Sequence, residues 1–238
     1  MNTHFLRAEW NNLIIANYVV PKELLLPYLP FKAELDLFEG EAYLSLVGFM
    51  FLNTKILGFS VPFHNNFEEV NIRFYVKYNS HGNWKRGVVF IKEIVPSQTV
   101  SFIANMVYGE KYATMKMKHY HGETEGFLET GYEWENKNKW NKLTTKTSKK
   151  SSSIIQGSLE EFFADHYWGY TKSSDTKTYE YHVEHPIWET LKVVEYLVDC
   201  DFGLLYGDEF SFLSAQQPRS VVMTKGSEIK VYHKRVLE

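Results

Sequence analysis

Residues 67–76, Phe-Glu-Glu-Val-Asn-Ile-Arg-Phe-Tyr-Val, alternate strictly. Val70, Ile72, Phe74 and Val76 fall on one face of an extended strand, and Glu69, Asn71, Arg73 and Tyr75 on the other. One face is built to pack. The other carries an acid, an amide and a cation in a row. Such a row either lines a polar cavity or forms a solvated or structural ion pair in which carboxylate and guanidinium bond each other.

The same periodicity extends over most of the chain. Residues 13–20 read as a buried strand with Asn17 as its main polar interruption, and Pro21 opens a short helix over 22–26 that Pro27 and Pro30 stop. Leu35–Leu37 and Ala42–Phe51 predict a hairpin around Glu39-Gly40, with strands following at Glu69–Tyr78 and Trp84–Ile94. A helix is expected from Ser97 to Tyr108, because Val100, Ile103, Ala104 and Val107 recur at helical spacing between a serine cap and Gly109.

Strands are predicted at Met115–His121, Phe127–Glu135 and Lys139–Thr147. The last two would form a hairpin at Asn136–Asn138 that brings Trp134 near Trp140. Residues 146–153, rich in Lys and Ser, read as a surface loop or linker. Ser158 with Glu161 has capping-box spacing for a short helix through about Ala164, and strands are expected at His166–Thr171 and Thr178–Val183. Pro186–Leu197 is ambiguous, since Ile187, Leu191, Val194 and Leu197 are helically spaced, and β-like runs end the chain at Arg219–Thr224 and Glu228–Arg235. The pattern is that of a mainly antiparallel β fold with a few short helices.

Composition narrows the function classes. The 238 residues are expected to form a single domain over 1–238, with 17 Phe, 16 Tyr and 6 Trp supplying ample core. A net charge of −3 offers no field that would recruit nucleic acid or an anionic membrane surface. The lone Cys200, flanked by Asp199 and Asp201, suits a reducing compartment and disfavours a reactive thiolate. With no export signal and no apolar run long enough to span a bilayer, cytoplasm is the expected location.

The candidate chemistry is sparse. His119 and His121 share a strand face, and His182 and His185 follow later. No Cys pair or His-Glu-x-x-His helix accompanies them, so no metal is expected. A nucleophile elbow, a phosphate-cradling loop and a dinucleotide fingerprint are all absent from the sequence, and no cofactor is called for. Lys111, Lys116 and Lys118 are amine candidates by position only, since a nucleophilic lysine needs burial or a neighbouring cation to lower its pKa.

Trp10, Asn17-Tyr-Val-Val-Pro21, Leu29-Pro30, Leu35-Asp36, Gly40, Ala42–Val47 and Phe67-x-Glu69-x-Asn71-x-Arg73-x-Tyr75-Val76 together resemble the YqjF-like family of uncharacterised bacterial proteins. Gly87-Val88, Glu161–Tyr170 and Tyr179–Trp188 extend the likeness over nearly the whole chain. That family is in turn similar to acetoacetate decarboxylase, which implies a closed antiparallel β-barrel or cone with helices outside and a central apolar cavity. Where the decarboxylase carries a tandem lysine pair, this chain reads Tyr108-Gly-Glu-Lys111-Tyr112. Glu110 beside Lys111 would raise rather than lower its pKa, so the lysine mechanism is put in doubt. The resemblance makes Glu69 the counterpart of the cavity carboxylate.

Three readings follow. In the first, the barrel binds a small carboxylate or carbonyl compound on Asn71 and Arg73, with Tyr43, Tyr75 and His185 from the family motifs as further ligand-binding candidates. In the second, the protein is an enzyme acting on a keto acid, with Glu69 as acid/base and Lys111 as a candidate amine nucleophile. In the third, the polar row only fixes strand register. A homo-oligomer is compatible with all three.

Overall fold

Long strands carry the architecture in the computed structural model, which describes residues 4–60 and 65–237. In chain order the first half comprises β1 (His4–Val20), α1 (Lys22–Leu25), β2 (Glu34–Leu35), β3 (Ala42–Ile56), β4 (Phe59–Ser60), β5 (Phe67–Ser80), β6 (Asn83–Val95), α2 (Gln98–Tyr108) and β7 (Tyr112–Thr114). The second half comprises β8 (Lys116–Thr124), β9 (Phe127–Asn136), β10 (Lys139–Ser153), α3 (Leu159–Ala164), β11 (Trp168–Ser174), β12 (Lys177–Glu184), β13 (Glu189–Asp199), α4 (Phe202–Tyr206), β14 (Ser220–Tyr232) and β15 (Arg235–Leu237). Short 3-10 turns occupy Leu26–Tyr28 and Asp208–Ala215.

Strand pairing runs β12-β11-β6-β5-β3-β1-β14 and returns to β12 through Val183↔Val231 and Glu184↔Lys230, so the sheet closes on itself. Closure leaves few free edges, the usual liability of a long sheet. All pairs are antiparallel except β6–β11 and β6–β7. From β14 the sheet continues through β13, β10 and β9 to β8. This extension folds over the outside of the ring, where Tyr132, Trp134 and Leu143 join Ile14, Leu46, Ile72 and Phe74 in one apolar cluster. Gly48 permits the approach, because a Cβ there would sit 2.7 Å from the Tyr132 ring. A separate cluster built from Leu13, Ile15, Val47, Phe49 and Phe51 forms the inner side of the ring.

Bulges decide which residues face inward. Asn12 adopts φ 55° where the β1–β3 register shifts between Asn11 and Ile14, so Trp10 and Leu13, three apart, both face the inside. Helix α2 has the expected boundaries: Ser97 caps it by accepting from Val100 N, and Gly109 closes it at φ 72°. Of its predicted stripe, the side chains of Ile103 and Val107 lie outside the described residues. Ser158 caps α3 by accepting from Glu161 N. Among the described residues no helix is long and apolar enough to cross a membrane.

Several elements differ from the sequence expectation. Residues 146–153 are strand, because β10 continues beside β13 as far as Ser153↔Glu189 and tertiary pairing overrides the loop-like composition. From Glu189 onward the helically spaced 186–197 segment is likewise strand, β13, drawn into the sheet by β10 and β14. Trp134 pairs with Asn141, and Trp140 with Glu135, so the two indoles point to opposite faces: Trp134 is buried, while Trp140 lies under Lys118. β2 pairs with β5 rather than with β3, leaving only the Phe38–Glu41 bridge around Glu39-Gly40. Neither α4 nor the 3-10 turn after it was visible in the periodicity of the sequence.

Candidate functional site

Pairing with β3 fixes the orientation of β5. Glu69 lies opposite Phe49, Asn71 opposite Val47 and Arg73 opposite Ser45, all directed into the ring. There they border a cavity of about 130 Å³ whose walls include Trp10, Phe49, Phe51, Phe67, Val183 and Trp188. The volume is close to the ~150 Å³ at which an apolar protein cavity admits one benzene-sized ring. α2 covers the cavity with Thr99, Val100 and Ala104, and Phe163 and Ala164 at the end of α3 complete the wall.

Two further carboxylates reach the same space. In β6, Val88 and Phe90 face inward, but a register shift opposite Ile72 and Arg73 inserts one extra residue, and Glu93 rather than Lys92 then faces the cavity. Lys92 is turned outward, where its Nζ donates to Leu205 O. Glu110 enters just after α2 and accepts from the Thr171 hydroxyl at 2.5 Å and the Tyr181 hydroxyl at 3.1 Å. Tyr181 can lie there because its cross-strand partner is Gly169, on which any Cβ would overlap the tyrosine ring.

Glu69, Glu93 and Glu110 are all buried. Burial raises the Glu69 carboxyl from 4.5 to about 7, against the opposing pull of hydrogen bonds from Asn71 and Tyr112 and of the Arg73 charge. Burial likewise raises Glu110 to about 7, opposed by Thr171 and Tyr181 and reinforced by Glu69. Glu93 is pushed well above the usual carboxylate range, first by burial and then by Glu110 and Glu69. Three carboxylates facing one guanidinium in an apolar enclosure therefore retain protons toward neutral pH.

The hydrogen bonding is uneven. Asn71 Nδ2 donates to Glu69 Oε1 at 2.9 Å, and the Tyr112 hydroxyl donates to Glu69 Oε2 at 3.1 Å. Asn71 Oδ1, Arg73 Nε and Glu93 Oε2 are buried without a partner. Among the described residues no ion pair joins Arg73 to Glu69. Four residues apart along the strand, with Asn71 between them on the same face, the pair does not close, and the guanidinium lies instead 5.8 Å from the Tyr75 ring. His166 lies alongside, its Nε2 3.2 Å from Asp36, which also accepts from Arg86. Burial depresses the His166 imidazole to about 4.

The remaining candidates fall in three settings. His185 borders the cavity, stacked between Tyr167 and Trp188 at centroid distances of 4.6 and 4.4 Å, and burial lowers its pKa. Tyr75 is buried beside Arg73, held by a chain in which Ser45 Oγ lies 2.7 Å from its hydroxyl and donates to Asn17 Oδ1. Tyr43 packs on Phe162 and Phe163 and is not among the lining residues. Lys111 also lies off the cavity, its Nζ 5.7 Å from the Tyr28 ring, and among the described lining residues there is no lysine. Lys116, exposed on strand β8, pairs with Glu135, and Lys118 sits over Trp140.

His119 bonds Glu68 and His121 bonds Thr130. Among the described residues no group of three or more His, Cys, Asp or Glu is disposed to hold a metal. The sequence reading did not single out Glu93, Tyr112, Tyr181 or His166. For Glu93 the available signal was an acid next to Lys92 inside the otherwise apolar run Val88–Val95.

Comparison with known proteins gives a consistent family and fold. The family model DUF2071, described as an uncharacterized conserved protein, matches residues 7–228. The uncharacterized protein YqjF of Bacillus subtilis is 33% identical over 86 residues, a match spanning 36% of this chain and 34% of that protein's length. Among solved structures, acetoacetate decarboxylase from Legionella pneumophila superposes with TM-score 0.64 at 11% identity, covering 98% of this chain and 87% of that one. An acetoacetate decarboxylase-like enzyme from Sphingomonas wittichii gives 0.65 at 12%, covering 99% and 94%. The enduracididine biosynthesis enzyme MppR, solved in complex with pyruvate, gives 0.67 at 11%, covering 100% and 92%. These likenesses establish the acetoacetate-decarboxylase-like fold.

Proposed function

The chain belongs to the DUF2071 family, and on that scaffold we propose that its closed sheet binds a small organic acid bearing a carbonyl group, seated with its carboxylate on Arg73. One observation carries the reading: Arg73 is buried at the cavity wall, where its guanidinium bonds the Tyr75 hydroxyl but its Nε has no partner, and among the described residues no carboxylate pairs with it. A buried cation left in that state is costly, and a ligand anion offsets the cost with charge-assisted hydrogen bonds. Asn71, with its Oδ1 free, orients the ligand. Protonated glutamates beside Asn71, Glu69 on the same strand and Glu93 on the next, suit a carbonyl oxygen, and the aromatic wall suits a short apolar chain. The volume of about 130 Å³ limits the ligand to a few carbons. The MppR complex with pyruvate supports the substrate class only through a shared fold. Cytoplasm remains the proposed setting, in keeping with the free, buried Cys200.

The test is a thermal-shift screen of small carboxylates and 2-oxo acids. Ligand at about 100 times its Kd adds about 2.7 kcal/mol to stability, which is about 5–10 °C for a chain of this length. In Arg73→Leu the protein stays folded and the shift disappears. A variant that instead loses several kcal/mol of stability, with no ligand shifting the wild type, favours the reading in which the row only fixes strand register.

A further inference from the structure

We infer that the cavity is an enolisation site: with a small 2-oxo acid seated on Arg73, Glu69 removes a proton from the carbon next to the carbonyl while Glu93 donates one to the carbonyl oxygen. The inference rests on the proposed binding mode and adds a reaction to it.

Hydrogen bonding assigns the two roles. Both oxygens of Glu69 receive donors, Asn71 Nδ2 at 2.9 Å and the Tyr112 hydroxyl at 3.1 Å, which favours the ionised form and leaves Glu69 the base. Glu93 borders the same cavity beside the Tyr112 hydroxyl, with its Oε2 unpartnered, so a proton on that oxygen is free to point at a ligand oxygen. Two carboxyls whose surroundings push their protonation apart form an acid and a base. Arg73 lies on the same row as Glu69, two inward positions away, so an anchored carboxylate directs the adjoining carbonyl and its neighbouring carbon toward the glutamates. The other titratable groups around the cavity are Glu110, Tyr112, Tyr181, His166 and His185. With no lysine among the described lining residues, the chemistry needs no imine.

The step balances internally. The C–H bond to the α-carbon breaks and its electron pair forms the C=C bond. The carbonyl π pair takes the Glu93 proton to give the enol hydroxyl, leaving Glu69 protonated and Glu93 ionised. Return of a solvent-exchanged proton from Glu69 to carbon, and of the hydroxyl proton to Glu93, regenerates both partners with no co-reactant.

The experiment places the full chain with pyruvate in deuterium oxide and follows loss of the methyl proton signal by NMR, with thermal shift recorded in parallel. Exchange at least 100-fold above the buffer rate is expected, with a bell-shaped pH profile, as is a fall to about the buffer rate in Glu93→Gln and in Glu69→Gln while the pyruvate-induced shift persists, since a positioned acid or base contributes about 100-fold or more. A pyruvate shift without exchange, or a flat pH profile, overturns the inference and leaves the binding proposal standing. No shift with pyruvate or any other 2-oxo acid removes both.

Discussion

The buried carboxyl of Glu69 predicts an unusual dependence of stability on pH. Its folded pKa is about 7 against 4.5 for an ordinary glutamate, so the folded state holds a proton that the unfolded chain has released. The sign follows: a group whose pKa is raised on folding contributes fully below the unfolded value, and the contribution is lost as pH rises through the folded one. A shift from 4.5 to about 7 corresponds to roughly 3 kcal/mol. The neutral buried His166, held at about 4, acts oppositely between its folded value and 6.5, so the wild-type curve alone is a sum of opposing slopes. The difference between wild type and Glu69→Gln removes the His166 slope and reports Glu69 together with its coupling to Glu93 and Glu110. In urea denaturation at half-unit pH steps, wild type loses roughly 3 kcal/mol relative to the variant between pH 4.5 and 7.5, about 6–12 °C in Tm for a chain of this size. Above pH 8 the two run parallel. Parallel curves over the whole range would refute the claim that this carboxyl is desolvated.

Two other perturbations probe the site. Gly169→Ala puts a methyl group into the Tyr181 ring, which displaces that hydroxyl from Glu110, so a loss of about 1–3 kcal/mol is expected in denaturant unfolding; unchanged stability would contradict the close packing of that pair. Borohydride added with pyruvate leaves the intact mass of the protein unchanged, because no lysine is among the described lining residues; a reduced adduct mapped to Lys111 would return the amine mechanism to first place.

The polar row was legible because β5 keeps an unbroken period of two over the residues that matter, from Glu69 to Arg73. Alternation placed Glu69, Asn71 and Arg73 on one face without reference to any neighbour, and left open only what that face meets. Pro21, Ser97, Gly109 and Ser158 marked helix ends for equally local reasons: a fixed φ, a hydroxyl acceptor and a left-handed residue act within one turn. The family motifs supplied the closed sheet, which no local signal contains.

What alternation could not supply was any residue beyond a bulge. Continued through β6, the period that sets Val88 and Phe90 inward would have turned Lys92 into the cavity, giving it an amine, and Glu93 away from it. One inserted residue reverses both and exchanges an amine site for a carboxylate site. The bulge exists because β5 and β6 must stay paired while the ring closes, a requirement of the whole sheet rather than of residues 88–95. The same holds for 146–153 and 189–199, whose compositions read as loop and as an ambiguous helix until neighbouring strands took up their backbone hydrogen bonds. The sequence thus determined which faces are apolar and where helices start and stop, since those preferences are local. Tertiary structure alone decided which acids share the cavity and which lysines leave it, since register and closure depend on pairings between residues far apart in the chain.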